Sequence, residues 1–212
     1  MTQTSKTLGV ILAGGASQRF QSSDPGRSGH DKFLAPFGTT TLLGHIIDRA
    51  AVQVDLLLLN VNGDPARVED YGLGIIADQT LDQGPLAGLM AALTWAEQKG
   101  YDHVVSFSAD CPFFPLDYRT RLEAAVQDQK TLIAIASSSH RPHPVMGLFP
   151  VLLQRDLAEY LQSGNRRVMQ WVERHAYKEV VWDDNGRDPF FNINTRAELA
   201  QAEKYLTLQQ RP

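Results

Sequence analysis

The sequence predicts an α/β fold, a three-layer arrangement with a mostly parallel sheet and helices on both of its faces. Three observations carry this expectation. Apolar runs rich in branched residues alternate along the chain with helical patterns, as in parallel strands joined by crossover helices. The chain has 212 residues, 43% of them apolar, which is enough for one substantial core and short for two. The first apolar run passes straight into a glycine turn, Leu12 to Arg19, reading LAGGASQR. One domain over residues 1–212 is expected.

The elements follow in order. Strands are expected at Thr7 to Leu12, Asp55 to Val61, Gly74 to Ala77, His103 to Ser108, Thr131 to Ala136 and Tyr177 to Trp182, each a short run of branched or aromatic residues. Helices are expected at Thr41 to Gln53, Pro85 to Lys99, Leu116 to Gln129, Val151 to Gln162, Asn165 to His175 and Thr195 to Leu206. Pro85 suits a first helical turn after Gly84, and Thr195 can cap a helix with Glu198 three residues on. Pro112 and Pro115 push the third helix start downstream. The stretch Gln21 to His30 reads as a polar loop.

Composition excludes several classes. A net charge of −4 and a pI near 5.8 argue against a nucleic-acid binder, which needs clustered excess Lys and Arg. Nothing approaches the ~20 apolar residues of a membrane span. The apolar part of the segment after Lys6 is too short for a secretory signal, so it reads as a buried strand. The single Cys111 excludes an internal disulfide and fits a reducing compartment. The protein is expected to be soluble and cytoplasmic.

In folds of this class ligands sit beyond the carboxyl ends of the strands. Those ends carry the glycine turn, Asn60 and Asn62, Asp78, and Asp110. Gly14 and Gly15 would let the backbone approach a bulky anion, and Arg19 adds a positive charge. The run from Gly9 nearly matches a Walker A loop, but Gly15 and Ala16 stand where Lys and Ser or Thr are required. Gly72, Gly74 and Ala77 fit a dinucleotide spacing yet enter a strand-like run. On local pattern alone the turn cannot be told from an ordinary strand-to-helix turn.

Asp110 lies between an apolar strand and a proline-stiffened loop, where a lone carboxylate suits magnesium completed by substrate phosphates. Cys111 has no evident partner base, so no nucleophile is assigned to it. Pro142 and Pro144 bar a helical metal pair from His140 and His143 and point to a strand-entry loop. Arg166 and Arg167, at an expected helix start, could grip a phosphate or stay solvated. Asn192 and Asn194 would share one face of a strand.

LAGG with Arg19, DK at 31–32, LLLNVN at 57–62, AD at 77–78, GPLAG at 84–88, ADCP at 109–112, RPHP at 141–144, GNRRV at 164–168 and FNINT at 191–195 together resemble the molybdenum cofactor guanylyltransferases, in order and over nearly the whole chain. That resemblance implies a dinucleotide-binding-like nucleotidyltransferase fold and magnesium-dependent transfer of GMP from GTP to the terminal phosphate of molybdenum-molybdopterin. Residues 1–110 would form mainly the GTP and magnesium half and 111–212 mainly the acceptor half. It assigns Leu12, Ala13, Gly14, Gly15, Asn60, Asp78, Gly84, Pro85 and Leu86 to the nucleotide. Lys32 would neutralise phosphate, Asp110 would bind magnesium with Asn194 as a candidate second ligand, and Arg19 would join them in catalysis. His143, Arg166, Arg167, Asn192 and Asn194 would face the acceptor. A molybdoenzyme or its chaperone would receive the product.

The chain departs from that pattern where Phe20 to His30 lengthens the link to Asp31 and Lys32. Rival readings are a molybdopterin cytidylyltransferase, a sugar-phosphate guanylyltransferase, or a nucleotide-binding regulator without turnover. LAGG and GPLAG favour the guanylyl family over its cytidylyl relatives, which resemble LAAG.

Overall fold

The computed structural model describes residues 5–14, 31–78, 84–127, 129, 131–184 and 186–209. In chain order, β1 (Thr7–Leu12) is followed by a small hairpin of β2 (Pro36–Phe37) and β3 (Thr40–Thr41), α1 (Leu42–Ala51), β4 (Leu57–Asn60) and β5 (Gly74–Ile76). Next come α2 (Pro85–Lys99), β6 (His103–Ser108), α3 (Tyr118–Val126), β7 (Ile133–Ser138) and β8 (Arg141–Pro150). The chain closes with α4 (Gln154–Gln162), α5 (Val168–Val172), β9 (Tyr177–Trp182) and α6 (Arg196–Gln209).

Seven strands form one sheet in the order β5-β4-β1-β6-β8-β7-β9, and β8 alone runs against its neighbours. Strands buried on both faces read as near-continuous apolar runs, which is why β1 carries LGVIL and β4 LLL. Successive side chains still part to opposite faces. Leu8 and Val10 pack with α2, α4 and α5, whereas Ile11 packs with α1, α3 and α6. The same division separates Val104 from Val105 and Ile133 from Ala134. Two cores on one sheet make the three layers that the sequence predicts.

Helix ends obey local chemistry. Thr41 Oγ1 accepts the Gly44 amide at 3.0 Å to open α1, and Gly100 at φ 71° closes α2 in the left-handed region. Thr195 and Glu198 form the expected capping box, with Glu198 N donating to Thr195 Oγ1 at 3.2 Å and Thr195 N to Glu198 Oε2 at 2.8 Å.

Three expectations are corrected. The proline-rich segment expected as a strand-entry loop is strand β8 itself. Its ladder tolerates the prolines because His143 pairs with Ala136 and Gly147 with Ile135, so Pro144 to Met146 bulge out of the pairing. The helix expected over Asn165 to His175 shrinks to Val168–Val172, since Arg167 is extended (φ −88°, ψ 115°) and starts the helix only after itself. Asn192 and Asn194 lie on irregular chain rather than a strand.

Strand order runs from β1 outward to β4 and β5 on one side, then crosses to β6 on the other. Such a reversal opens a crevice between the carboxyl ends of the two central strands. Here those are β1 and β6.

Two buried histidines, His103 and His143, and the half-buried His45 make stability sensitive to mild acid. Burial lowers the pKa of His45, His103 and His143 below 6.5, with nearby Arg49 adding for His45 and Arg141 for His143. Between 6.5 and those lower folded values the unfolded chain binds more protons, so stability falls as pH drops through that window. The urea midpoint is therefore expected to decline between about pH 7.5 and about pH 5. A flat midpoint over that range would contradict it.

Candidate active site

At the end of β1, Leu12 stands between Asn60 of β4 and Ser108 of β6. The ladder continues one step, with Ala13 N donating to Asn60 O at 2.9 Å and Ala109 N to Leu12 O at 3.2 Å. Three strand ends are thereby held level, and a cavity of about 630 Å³ opens over them. That size suits a small-molecule ligand.

One flank is built around Asp78, just beyond β5. Its Oδ1 accepts Asn60 Nδ2 at 2.8 Å and its Oδ2 accepts Asn62 Nδ2 at 2.7 Å, while Asn62 Oδ1 accepts the Asp78 amide at 3.0 Å. The carboxylate is locked in one orientation with lone pairs still open. Close packing by glycines permits this. A Cβ at Gly14 would come to 3.0 Å of Asn62 Nδ2, and one at Gly88 to 2.2 Å of Asn60 Oδ1. Gly88, on the first turn of α2, is thus the residue that lets the Asn60 side chain lie against that helix.

The other flank gathers around Lys32. Its Nζ lies 2.9 Å from Asp110 Oδ2 and 3.3 Å from Asn194 Oδ1. Asp110 Oδ1 also accepts the Ser108 hydroxyl at 2.7 Å, and its carbonyl accepts Ile193 N at 2.8 Å, which ties the FNINT segment to β6. Asn194 is fixed in turn by the capping box, its amide donating to Glu198 Oε2 at 2.7 Å. The neighbouring Asp31 pairs with Arg67, which also donates to the carbonyls of Asn62 and Asp64. Arg67 therefore links the lysine's turn to the Asn62 flank.

Among the described residues no three His, Cys, Asp or Glu side chains are grouped to hold a metal. The site meets a cation differently. Asp110 and Asn194 both direct an oxygen at the Lys32 ammonium, so a positive charge already lies between hard donors. One carboxylate with neutral oxygens fits magnesium, which takes further ligands from phosphates and water.

Of the sequence-predicted residues, Leu12, Ala13, Gly14, Lys32, Asn60, Gly84, Pro85, Asp110, His143, Asn192 and Asn194 line the cavity. Asp78 reaches it through Asn60. Leu86 does not; it is fully buried among Leu8, Val10 and Leu89 in the core. Nor do the two arginines. Arg166 Nη1 turns back onto the carbonyls of Leu161 at 2.9 Å and Asn165 at 2.6 Å, and Arg167 precedes α5 outside the cavity lining. Gly15, Arg19 and the stretch Phe20 to His30 lie outside the described residues. Cys111 is fully buried, and burial, with Asp110 nearby, pushes its thiol well up, away from the reactive thiolate.

Other residues in and around the cavity carried no assigned contact in the sequence. Asn62 and Gly88 fall inside the LLLNVN and GPLAG motifs without an assigned partner, and Ser108, which lines the cavity, shows no type-specific signal of its own. Arg141 opens β8 and lines the cavity, and Asp188 reaches His143 through Ser138, a contact across 50 residues that no spacing reveals.

A sequence family described as the MobA-like NTP transferase domain matches residues 9–180. A molybdenum cofactor guanylyltransferase of Bradyrhizobium sp. (strain ORS 278) is 40% identical over 217 residues, covering 100% of this chain and 99% of the relative. One from Rhodopseudomonas palustris (strain HaA2) is 44% identical over 198 residues, covering 92% and 89%. The crystal structure of molybdopterin-guanine dinucleotide biosynthesis protein A from Archaeoglobus fulgidus superimposes with a TM-score of 0.72 at 19% identity, covering 95% of this chain and 99% of that one. With a cavity at the reversal of its strand order and relatives alike along their full length, the chain belongs to the MobA-like NTP transferase family.

Proposed function

We propose that this protein transfers GMP from GTP to the terminal phosphate of molybdenum-molybdopterin, releasing pyrophosphate and forming the guanine dinucleotide cofactor. The observation that carries the reading is the Lys32, Asp110 and Asn194 cluster at 2.9 and 3.3 Å, across one crevice from the locked Asp78 carboxylate. A polyphosphate and a base need those two kinds of surface at once.

On the base side, Asp78 keeps lone pairs to accept the N1–H and 2-amino donors of guanine, which cytosine lacks. The turn after β1 and the Gly84 and Pro85 entry to α2 bring backbone close to the nucleotide, as the small residues there allow. On the phosphate side, Lys32 is poised to exchange a carboxylate for phosphate oxygens. Asp110 and Asn194 would hold magnesium, which when bound offsets charge on the α-phosphate and the departing pyrophosphate.

The chemistry needs no strong base, because a phosphate monoester is already ionised near neutral pH. An acceptor oxygen attacks the α-phosphorus, a new phosphoanhydride bond forms, and the bond to the bridging oxygen breaks as pyrophosphate departs with its electron pair. What remains is alignment and charge, which residues fixed on strand ends supply. Arg19, seven residues beyond Leu12 in the sequence, is read as a further cation for the triphosphate. We place the reaction in the cytoplasm, with a molybdoenzyme or its chaperone as recipient, and read residues 1–212 as one domain whose first half serves GTP and whose second half serves the acceptor.

The test supplies magnesium, each of four nucleoside triphosphates and molybdopterin-loaded acceptor, then identifies the dinucleotide by mass. Guanine dinucleotide is expected; consumption of CTP with GTP intact would overturn the base assignment. Asp110→Asn should lower transfer by about 10²- to 10³-fold without changing the thermal midpoint, and unaltered activity would remove Asp110 from the metal site. Gly88→Ala should displace Asn60 through overpacking of about 1–2 kcal/mol and raise the KM for GTP about tenfold, with the acceptor KM unmoved.

A further inference from the structure

A transfer between two phosphate-bearing substrates must hold two anions close together. Two like charges held that close repel strongly at a protein surface, so each substrate needs its own cation. Among the described residues that line the cavity, Lys32 and Arg141 carry the permanent positive charges. Lys32 is committed to the end of β6 through Asp110. Arg141 lies on the wall made by β8, and its guanidinium makes no hydrogen bond or ion pair with a described residue.

The position of Arg141 is tightly determined. Ser138 and Arg141 are paired across the β7–β8 hairpin, and the two residues between them, Ser139 and His140, have φ 48° and 59°. A two-residue turn with both central residues in the left-handed region matches the twist of the strands it joins. Serine and histidine adopt that region only at a steric cost, so the surrounding pairing must impose it. Arg141 and His143, two residues apart on a strand, share a face, and both line the cavity.

The same edge is braced from behind. Ser138 Oγ lies 2.5 Å from Asp188 Oδ1 and 2.7 Å from His143 Nε2, and Asp188 Oδ1 also accepts Phe190 N at 2.8 Å. A carboxylate only accepts, so the serine proton goes to Asp188 and the Nε2 proton of His143 goes to the serine. The tautomer is thereby set, and Nδ1 is the ring's remaining acceptor. Phe190 backs the imidazole at a centroid distance of 4.9 Å.

We propose that Arg141 anchors the phosphomonoester of the acceptor, and that Asp188, acting through Ser138, is the positioning residue that holds His143 beside it. The proposal rests on the GMP-transfer reading. It moves the acceptor's arginine from the Arg166 and Arg167 pair to the start of β8, because neither lines the cavity and Arg166 turns back onto the carbonyls of Leu161 and Asn165. Planar guanidinium suits a phosphate oxygen pair, and a charge-assisted contact of about 1.5–3 kcal/mol corresponds to about 10- to 100-fold in affinity.

The test uses the full chain and two readouts, steady-state transfer and direct binding of metal-free molybdopterin without nucleotide. Arg141→Gln should raise the acceptor KM and weaken molybdopterin binding by about 10- to 100-fold, with the KM for GTP unchanged. Arg141→Lys should recover part of the loss, since it keeps the charge but not the fork. Asp188→Ala should raise the acceptor KM while leaving the GTP KM in place, and Asp188→Asn, which retains an oxygen acceptor for Ser138, should restore it. The exposed Arg155→Gln serves as the control of equal charge change. Wild-type-like molybdopterin binding by Arg141→Gln, or a parallel rise in the GTP KM, would overturn the proposal. If the wild-type chain makes no guanine dinucleotide yet Arg141→Gln still loses molybdopterin binding, the transfer reading fails and the subsite stands.

Discussion

Everything at the cavity depends on the register of β1 between its two parallel neighbours. Leu12 is held opposite Asn60 on one side and Ser108 on the other. Parallel strands carry evenly spaced hydrogen bonds, so a slip of one residue would turn every apolar side chain to the wrong core. Leu8, Val10 and Ile11 are all fully buried and divide between two cores, which leaves the strand a single stable register. The ends of β4 and β6 are consequently level with the turn after β1. Asn60 and Asp110 reach the cavity because the core forbids any other alignment.

Around that fixed point the site is held by second-layer contacts rather than by its ligand-facing residues alone. Asn62 clasps Asp78 from two sides, Glu198 pins Asn194 through a helix cap, and Arg67 ties the turn bearing Lys32 to the Asn62 flank. The Asn62 and Arg67 contacts tie together separate segments of chain, while the Glu198 cap acts locally. Preorganisation of this kind matters for phosphoryl transfer, in which the protein supplies position and charge and little covalent chemistry. Gly14 and Gly88 belong to the same design, since a methyl group on either would press on the asparagines they cover.

The carboxyl-end residues Asn60, Asp78 and Asp110 were legible because strand ends in an α/β fold are where ligands bind, and short apolar runs mark those ends clearly. Lys32 was legible only through the family motif, yet it reaches Asp110 across 78 residues. Leu86 belongs to a binding motif while its side chain faces the core, a distinction set by helix rotation. Arg166 and Arg167 lie outside the cavity lining for another reason. Their pairing looked suited to phosphate, but Arg166 folds back onto the carbonyls of Leu161 and Asn165. β8 was missed because prolines ordinarily signal loops, whereas here the bulge at Pro144 to Met146 absorbs part of that cost.

By itself the sequence determined the α/β class, the succession of strands and helices, the glycine turn and the chemical types at the strand ends. These are local or periodic properties, written in neighbouring residues. Tertiary structure alone decided that β8 enters antiparallel beside β6, that Arg141 comes to the cavity, and that Asp188 meets His143 through a serine 50 residues away. Those outcomes depend on which carbonyls and carboxylates remain unsatisfied once the sheet has closed, a question settled only when distant segments compete for the same hydrogen bonds.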